Sequence, residues 1–342
     1  MFYKKIKNFL LILISLSIIC GTSFAVDKNV VNEEDLLQNV QIAKSKNKKE
    51  KALKKLFYYY ANIKRWDDVI AVSDDLLKYK LTKKEKYTVY YNLARAYMNN
   101  KKFESSVEAA QEAEYLYPKK IDVKMLMGDI YMDNSLYELA ASKFKNVLEL
   151  DDKHVTASIN LGNIYKLQEN YGQALEYYEK AMSLRKNLAP EVYINAAISY
   201  KEAGKTDEAI KILKNLKVQN KKSSLLLADI YKRKKKFTSA KDVLRSYVYG
   251  KDLDLEIYCN LAEIYIFSKD YGNAKKLLMY YKDKSNNKNI EAIDFLLAEV
   301  YYETGKHKKA IKIMNNILKY TTSDYIKDMV KRTLKVRKYK NN

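Results

Sequence analysis

The 342 residues include only 2 prolines and 8 glycines, too little turn chemistry for a sheet-rich fold, and their 47% hydrophobic content excludes wholesale disorder. Lys and Arg outnumber Asp and Glu by 64 to 42, a formal charge of +22. That balance admits anionic partners, but it also reflects a composition rich in Lys, Asn, Ile and Tyr, with the bases mostly scattered over helical faces.

The first segment reads as a secretory signal. Lys4, Lys5 and Lys7 precede an apolar run from Phe9 to Ile19, and Ser23-Phe24-Ala25 places small residues where a signal peptidase reads them. The run is shorter than the ~20 apolar residues that span a bilayer. Residues 1–25 are therefore predicted to be cleaved on export to a periplasmic or secreted location, leaving a net charge of +19 once three lysines are removed. Lipidation of Cys20 is the less favoured alternative, because the preceding Ile19 is bulky where lipoprotein signals carry a small residue. The mature chain keeps Cys259 alone, which excludes an internal disulfide and is read as packed.

Residues 26–49 read as a polar linker, with Leu36, Leu37, Val40 and Ala43 at the spacing of one amphipathic helix. From residue 50 to 320 the chain repeats itself. Tyr60, Tyr97, Tyr131, Tyr165, Tyr200, Tyr231, Tyr265 and Tyr301 recur at steps of 37, 34, 34, 35, 31, 34 and 36 residues. Three residues before each stand Phe57, Ala94, Gly128, Gly162, Ala197, Ala228, Ala262 and Ala298. Nine after stand Val69, Ser106, Ala140, Ala174, Ala209, Ala240, Ala274 and Ala310, and six after comes an aromatic slot filled mostly by Trp, Phe or Tyr. Small residues at these two positions let two antiparallel helices approach closely. Gly204 and Gly305, four after their tyrosines, are placed for left-handed helix caps. The first copy departs most, which predicts distortion there, and the 31-residue step predicts a shortened joint. Residues 321–342 read as a basic capping helix and tail, with Ile326, Met329, Val330 and Leu334 on one side.

This pattern resembles the tetratricopeptide repeat family. The resemblance implies an all-α, right-handed superhelical solenoid of about eight antiparallel helix pairs, whose first helices line a concave groove that binds a protein or peptide. Chaperone-tail-binding members hold a carboxylate with a set that Asn163, Asn195 and Lys222 match, but Ile159 and Leu226 stand where two cations belong, so that activity is not expected.

Nothing points to catalysis. His307 occupies an aromatic slot and reads as core, and His154 sits in a joint as a cap. No H-E-x-x-H, C-x-x-C or glycine-rich phosphate loop occurs, so neither metal nor cofactor is expected.

The groove positions that the resemblance implies, at −9, −6, −2, +1 and +2 around each tyrosine, carry ten acids and eight bases. The excess positive charge must then lie elsewhere. The last two copies place Glu256, Glu263, Ile266, Phe267, Phe295, Glu299, Tyr302 and Glu303 there, and the third places Met125, Asp129, Met132 and Asp133. An apolar floor with an acidic rim suits a protein or peptide carrying basic and apolar residues. The leading expectation is an exported interaction scaffold serving assembly or maintenance of the bacterial cell envelope. The alternative is a basic peripheral protein that adheres to an anionic membrane or envelope polymer through Lys232, Arg233, Lys234, Lys235 and Lys236 and through Lys331, Arg332 and Lys335. Nucleic acid is disfavoured by the acidic groove. The oligomeric state is not legible.

Overall fold

The computed structural model describes residues 32–216, 219–248, 253–286 and 290–340, with side chains described as far as residue 336. The predicted signal segment, Cys20 and Arg337 to Lys340 as side chains lie outside that description. Among the described residues there are eighteen helices and no strand. The chain forms two compact units, the first ending at Leu136 and the second beginning at Tyr137.

The first unit holds α1 (Glu33–Ile42), α2 (Lys46–Asn62), α3 (Trp66–Leu76), α4 (Lys83–Asn99), α5 (Phe103–Leu116) and α6 (Ile121–Asp133). From Asn32 on, the segment read as a linker is therefore part of the folded body, and its helix lies where the apolar spacing placed it. Asn32 caps α1 through its side chain, and Leu36 and Val40 are buried in the cluster that includes Leu53, Leu56 and Phe57 of α2. Ser45 then caps α2, which begins at Lys46, four residues ahead of the expected start of the repeats.

The second unit holds α7 (Tyr137–Leu150), α8 (Val155–Leu167), α9 (Tyr171–Leu184), α10 (Pro190–Glu202), α11 (Thr206–Lys214) and α12 (Lys221–Arg233). It continues with α13 (Phe237–Arg245), α14 (Leu255–Phe267), α15 (Tyr271–Lys284), α16 (Glu291–Glu303), α17 (His307–Tyr320) and α18 (Asp324–Lys340). In both units consecutive helices pair and each pair packs on the next. The even-numbered helices α2 to α16 carry the eight repeat tyrosines.

The close approach rests on the small residues. Ala94, Ala197, Ala262 and Ala298 before the tyrosines, and Ala140, Ala174, Ala209, Ala240, Ala274 and Ala310 after them, are fully buried. Ser106 takes the same place in α5, and its hydroxyl donates to the Ala94 carbonyl at 2.8 Å. At that distance a larger side chain would force the helices apart.

The joints carry the repeat into the backbone. The residue four after each tyrosine has positive φ in all eight copies: Lys64, Lys101, Ser135, Gly204, Glu169, Lys235, Lys269 and Gly305. The next residue's amide donates to the tyrosine carbonyl each time, from Arg65 on Tyr60 at 3.0 Å to Lys306 on Tyr301 at 2.8 Å. This is the left-handed cap that satisfies the otherwise orphaned carbonyls at a helix end. The glycine signal thus marked two joints of eight. The first copy, for all its bulky residues, keeps this joint intact, with Phe57 and Val69 buried where smaller residues stand in the other copies.

A non-glycine residue in this conformation costs roughly 1 kcal/mol. Glu169→Gly or Lys269→Gly is expected to raise stability by about 0.5–1 kcal/mol, and Gly305→Ala to lower it by a similar amount, in urea unfolding followed by helical circular dichroism. Equal stabilities across the three variants would show that the joints are not strained.

The 31-residue step has a different origin from the expected short joint. The second helix of that copy, α11, ends after nine residues, where α9 and α15 run for fourteen. α13 is equally short, but a longer connection to α14 restores the 34-residue step. A cavity of about 650 Å³ lies near the C-terminal end of α11, lined by residues such as Met182, Leu188, Tyr193 and Leu216.

Candidate functional site

The residues expected to line the groove sit on α6 in the first unit and on α14 and α16 in the second. On α6, Met125, Asp129 and Met132 are half-buried, and Asp133 is exposed and 3.7 Å from Lys101. Burial, with a smaller contribution from the Asp133 charge, raises the Asp129 carboxyl to about 6.

That shift sets a pH dependence. Folded Asp129 holds a proton up to about pH 6, whereas an unfolded aspartate releases it near pH 4. The folded state is therefore penalised as pH rises from about 4 through 6, and the penalty is constant above. Asp129→Asn is expected to stabilise the protein by about 1–2 kcal/mol at pH 7.5, after allowance for partial exposure, and to do nothing at pH 3.5. Melting curves of both proteins at the two pH values test this, and a stabilisation independent of pH would refute it.

In the second unit, α14 presents Phe267 at 62% exposure beside half-buried Ile266 and Cys259. Burial pushes the Cys259 thiol up to about 12, with the Glu263 charge adding to it, so this thiol is a packed group rather than a nucleophile. On α16, Phe295 and Tyr302 are half-buried and pack with Ile326 and Leu334 of α18 on the cluster containing Val330. Part of the apolar floor expected to be open is therefore packed into the C-terminal core cluster. Tyr302 also meets the His307 ring at 4.5 Å, placing that histidine in the packed slot read for it. Glu303 is exposed, and Glu299 is half-buried.

Charge on these helices is arranged in pairs that a residue count does not show. Lys232 donates to Glu263 at 2.8 Å, and Lys201 lies 3.6 Å from Asp229. In each pair the base follows one repeat tyrosine and the acid precedes the next by two, so neighbouring first helices are tied at the same register. Lys221 reaches Asp254 at 2.6 Å and Glu256 at 2.8 Å, extending the series along α12 and α14. Elsewhere polar groups replace the ions: Lys166 donates to Asn195 at 2.8 Å, and Asn195 donates to Asn163 at 3.1 Å. The asparagines that match a carboxylate clamp are therefore engaged within the solenoid. His154 likewise serves as a cap, its Nδ1 accepting from the Ala157 amide at 3.1 Å.

The basic run at Lys232 to Lys236 also changes meaning. Lys232 is committed to Glu263, with its ammonium 5.8 Å from the Phe267 ring centroid. Arg233 bonds Asp229 at 3.1 Å, and Lys234 bonds Asp207 at 2.7 Å. Three of the five bases are neutralised locally, while Lys235 and Lys236 are exposed and form no ion pair within 4 Å among the described residues. By contrast Lys331 and Lys335 of α18 are exposed, while Arg332 pairs with Asp328 at 2.7 Å.

No described helix is long and apolar enough to cross a membrane, and no cluster of metal-ligating side chains occurs among the described residues. Stacked helix pairs joined by left-handed caps define a helical-repeat solenoid, a class whose working surface is a face built from several repeats.

The tetratricopeptide repeat signature matches residues 87–120, 154–215, 255–279 and 292–320, and those stretches are tetratricopeptide repeats. A solved tetratricopeptide repeat protein from Parabacteroides merdae superposes with a TM-score of 0.53 at 13% identity, covering 73% of this chain and 99% of its own. In sequence, the response regulator aspartate phosphatase A of Bacillus subtilis is 23% identical over 281 residues, 79% of this chain and 66% of that protein. The human protein O-mannosyl-transferase TMTC3 is 24% identical over 298 residues, 71% of this chain and 32% of its own length. The chain thus spans less than two thirds of the length of either curated relative. Such repeats build scaffolds for protein–protein interaction.

Proposed function

We propose that this protein is an exported scaffold that binds a protein or peptide segment on the first helices of its last repeats, in assembly or maintenance of the bacterial cell envelope. Export is supported by the basic start, apolar run and small residues of positions 4–25. The envelope setting follows from export alone.

The observation that carries the binding reading is Phe267, an aromatic ring at 62% exposure on a groove-lining position of α14. Exposed aromatics on a polar-rimmed surface are enriched where partners bind. Beside it Ile266 is half-buried, and Glu256 and Glu303 remain exposed at the rim. Because Glu263 and Glu256 are already paired with lysines, the preference for a basic partner is weaker than a count of acids implies. The apolar contact at Phe267 is the main source of affinity, and Glu303 supplies the acidic contact.

The test is cross-linking in intact cells, a high-salt wash, and identification of what stays bound, with a Phe267→Ala/Glu303→Lys variant alongside. A salt-resistant partner that the variant loses at least tenfold supports the proposal. A partner retained equally by both proteins refutes binding at this face.

A further inference from the structure

The positive charge is concentrated at one end of the solenoid. From Thr304 to Asn342 the sequence carries 12 Lys and Arg against 2 Asp, a net charge of +10, more than half of the +19 expected for the mature chain. Among the described residues, the structure shows why much of this charge faces outward. Ala310, Met314 and Ile317 of α17 and Val330 of α18 are buried in one cluster, which turns the remaining faces of both helices to solvent. Lys308, Lys309, Lys312 and Lys319 of α17 are exposed, as are Lys331, Arg332 and Lys335 of α18.

On α18 the arrangement is amphipathic in an uncommon sense. Ile326, Val330 and Leu334 face the repeats, and at 100° per residue Tyr325, Arg332, Lys335 and Val336 fall on the opposite side. There Tyr325 is 78% exposed and Val336 58% exposed, so an aromatic ring and an aliphatic side chain stand among the bases. Two acids temper the helix, Asp324 with Lys327 at 3.2 Å and Asp328 with Arg332 at 2.7 Å. Lys331 and Lys335 have no acid within reach among the described residues, nor do Lys308 and Lys312.

We infer that the outer faces of α17 and α18 dock on an anionic lipid surface. Bases attract the headgroups, and the exposed Tyr325 and Val336 enter the headgroup layer, where aromatic and aliphatic groups between basic residues are stable. A lipid partner fits better than a nucleic acid, because the two exposed apolar groups are aligned on one helix face rather than set along a groove that tracks a strand. This inference is independent of binding at Phe267, which lies two repeats' first helices away from α18 in the chain.

The test is co-sedimentation of the full-length chain with vesicles of phosphatidylcholine containing 30% phosphatidylglycerol, against vesicles of phosphatidylcholine alone, in 50 mM salt. Binding is expected only to the anionic vesicles, falling as salt is raised. Each basic residue near the surface is worth about fivefold in partitioning, so Lys331→Glu/Lys335→Glu should reduce binding by tenfold or more. Tyr325→Ser/Val336→Ser should reduce it without changing the charge. Lys84→Glu/Lys153→Glu, the same charge change at exposed sites far along the chain, should leave most binding intact. If either α18 variant misfolds by circular dichroism, Lys308→Glu/Lys312→Glu on α17 takes its place. Equal losses in the distant and terminal charge variants would overturn the inference, as would binding to neutral vesicles alone. So would failure to bind vesicles while a single-stranded oligonucleotide binds and the α18 variant releases it.

Discussion

Replacing Tyr178 by alanine is expected to lower the stability of the second unit by about 3–5 kcal/mol, the range for removing a large aromatic from a packed core. Tyr178 is fully buried on α9, and its ring lies against α8 at Gly162, where an added Cβ would come within 2.7 Å of the ring. The glycine and the tyrosine therefore fill one space. The tyrosine hydroxyl donates to Asn163 at 2.7 Å, and Asn163 also accepts from Asn195, so the ring anchors a polar chain that reaches the next repeat. Tyr178→Phe removes only the hydroxyl and should cost about 1 kcal/mol, because Asn195 still satisfies Asn163. Gly162→Ala should cost about 1–3 kcal/mol by overpacking. Urea unfolding followed by circular dichroism reads all three. A loss below 1 kcal/mol for Tyr178→Ala would mean that the two helices close over the cavity and that the tight fit is dispensable.

Asp294→Ala is expected to destabilise the C-terminal repeats by about 2–3 kcal/mol. Asp294 is the one carboxylate in the buried set among the described residues, at 7% exposure. Lys282 of α15 donates to one of its oxygens at 2.7 Å, and Tyr320 at the end of α17 donates to the other at 3.0 Å. One side chain on α16 thus ties the helices before and after it. Removing it takes the acceptor from two donors, although the Lys282 ammonium, on a side chain about one-third exposed, and Tyr320, at 43% exposure, can both turn to water and limit the cost. Tyr320→Phe should cost about 1 kcal/mol in the native protein and nearly nothing in the Asp294→Ala background. In a repeat array the damage stays local, so limited proteolysis should open α15 to α18 first and spare α8 to α10. Uniform loosening along the chain would argue against this anchoring role.

The repeats were legible because their physics is periodic. A tyrosine at a fixed step, with alanine or glycine three before and nine after, is what close helix packing demands, and those residues are buried where expected. The left-handed joints were legible at Gly204 and Gly305 only. The other six positions carry ordinary residues in the same conformation, because the neighbouring helix pair dictates it whatever the side chain prefers.

The candidate site was less legible. The pattern points to the groove positions, yet Phe295 and Tyr302 pack against the C-terminal core cluster, and Lys232 to Lys234 are paired within the solenoid. Conversely nothing in the sequence sets Lys308, Lys309 and Lys312 apart among many lysines, although the structure leaves them exposed on α17 beside the basic terminus in the chain.

From its sequence alone this protein is an all-helical tetratricopeptide-repeat chain, since packing periodicity is a property of neighbours within about 35 residues. Tertiary structure decided the rest: which acids meet a base, which aromatics stay open, and where the surplus charge gathers. Those outcomes depend on side chains one repeat apart, some 30 residues along the chain but under 4 Å in space at Lys232 and Glu263, and a count of charges by position carries no record of that pairing.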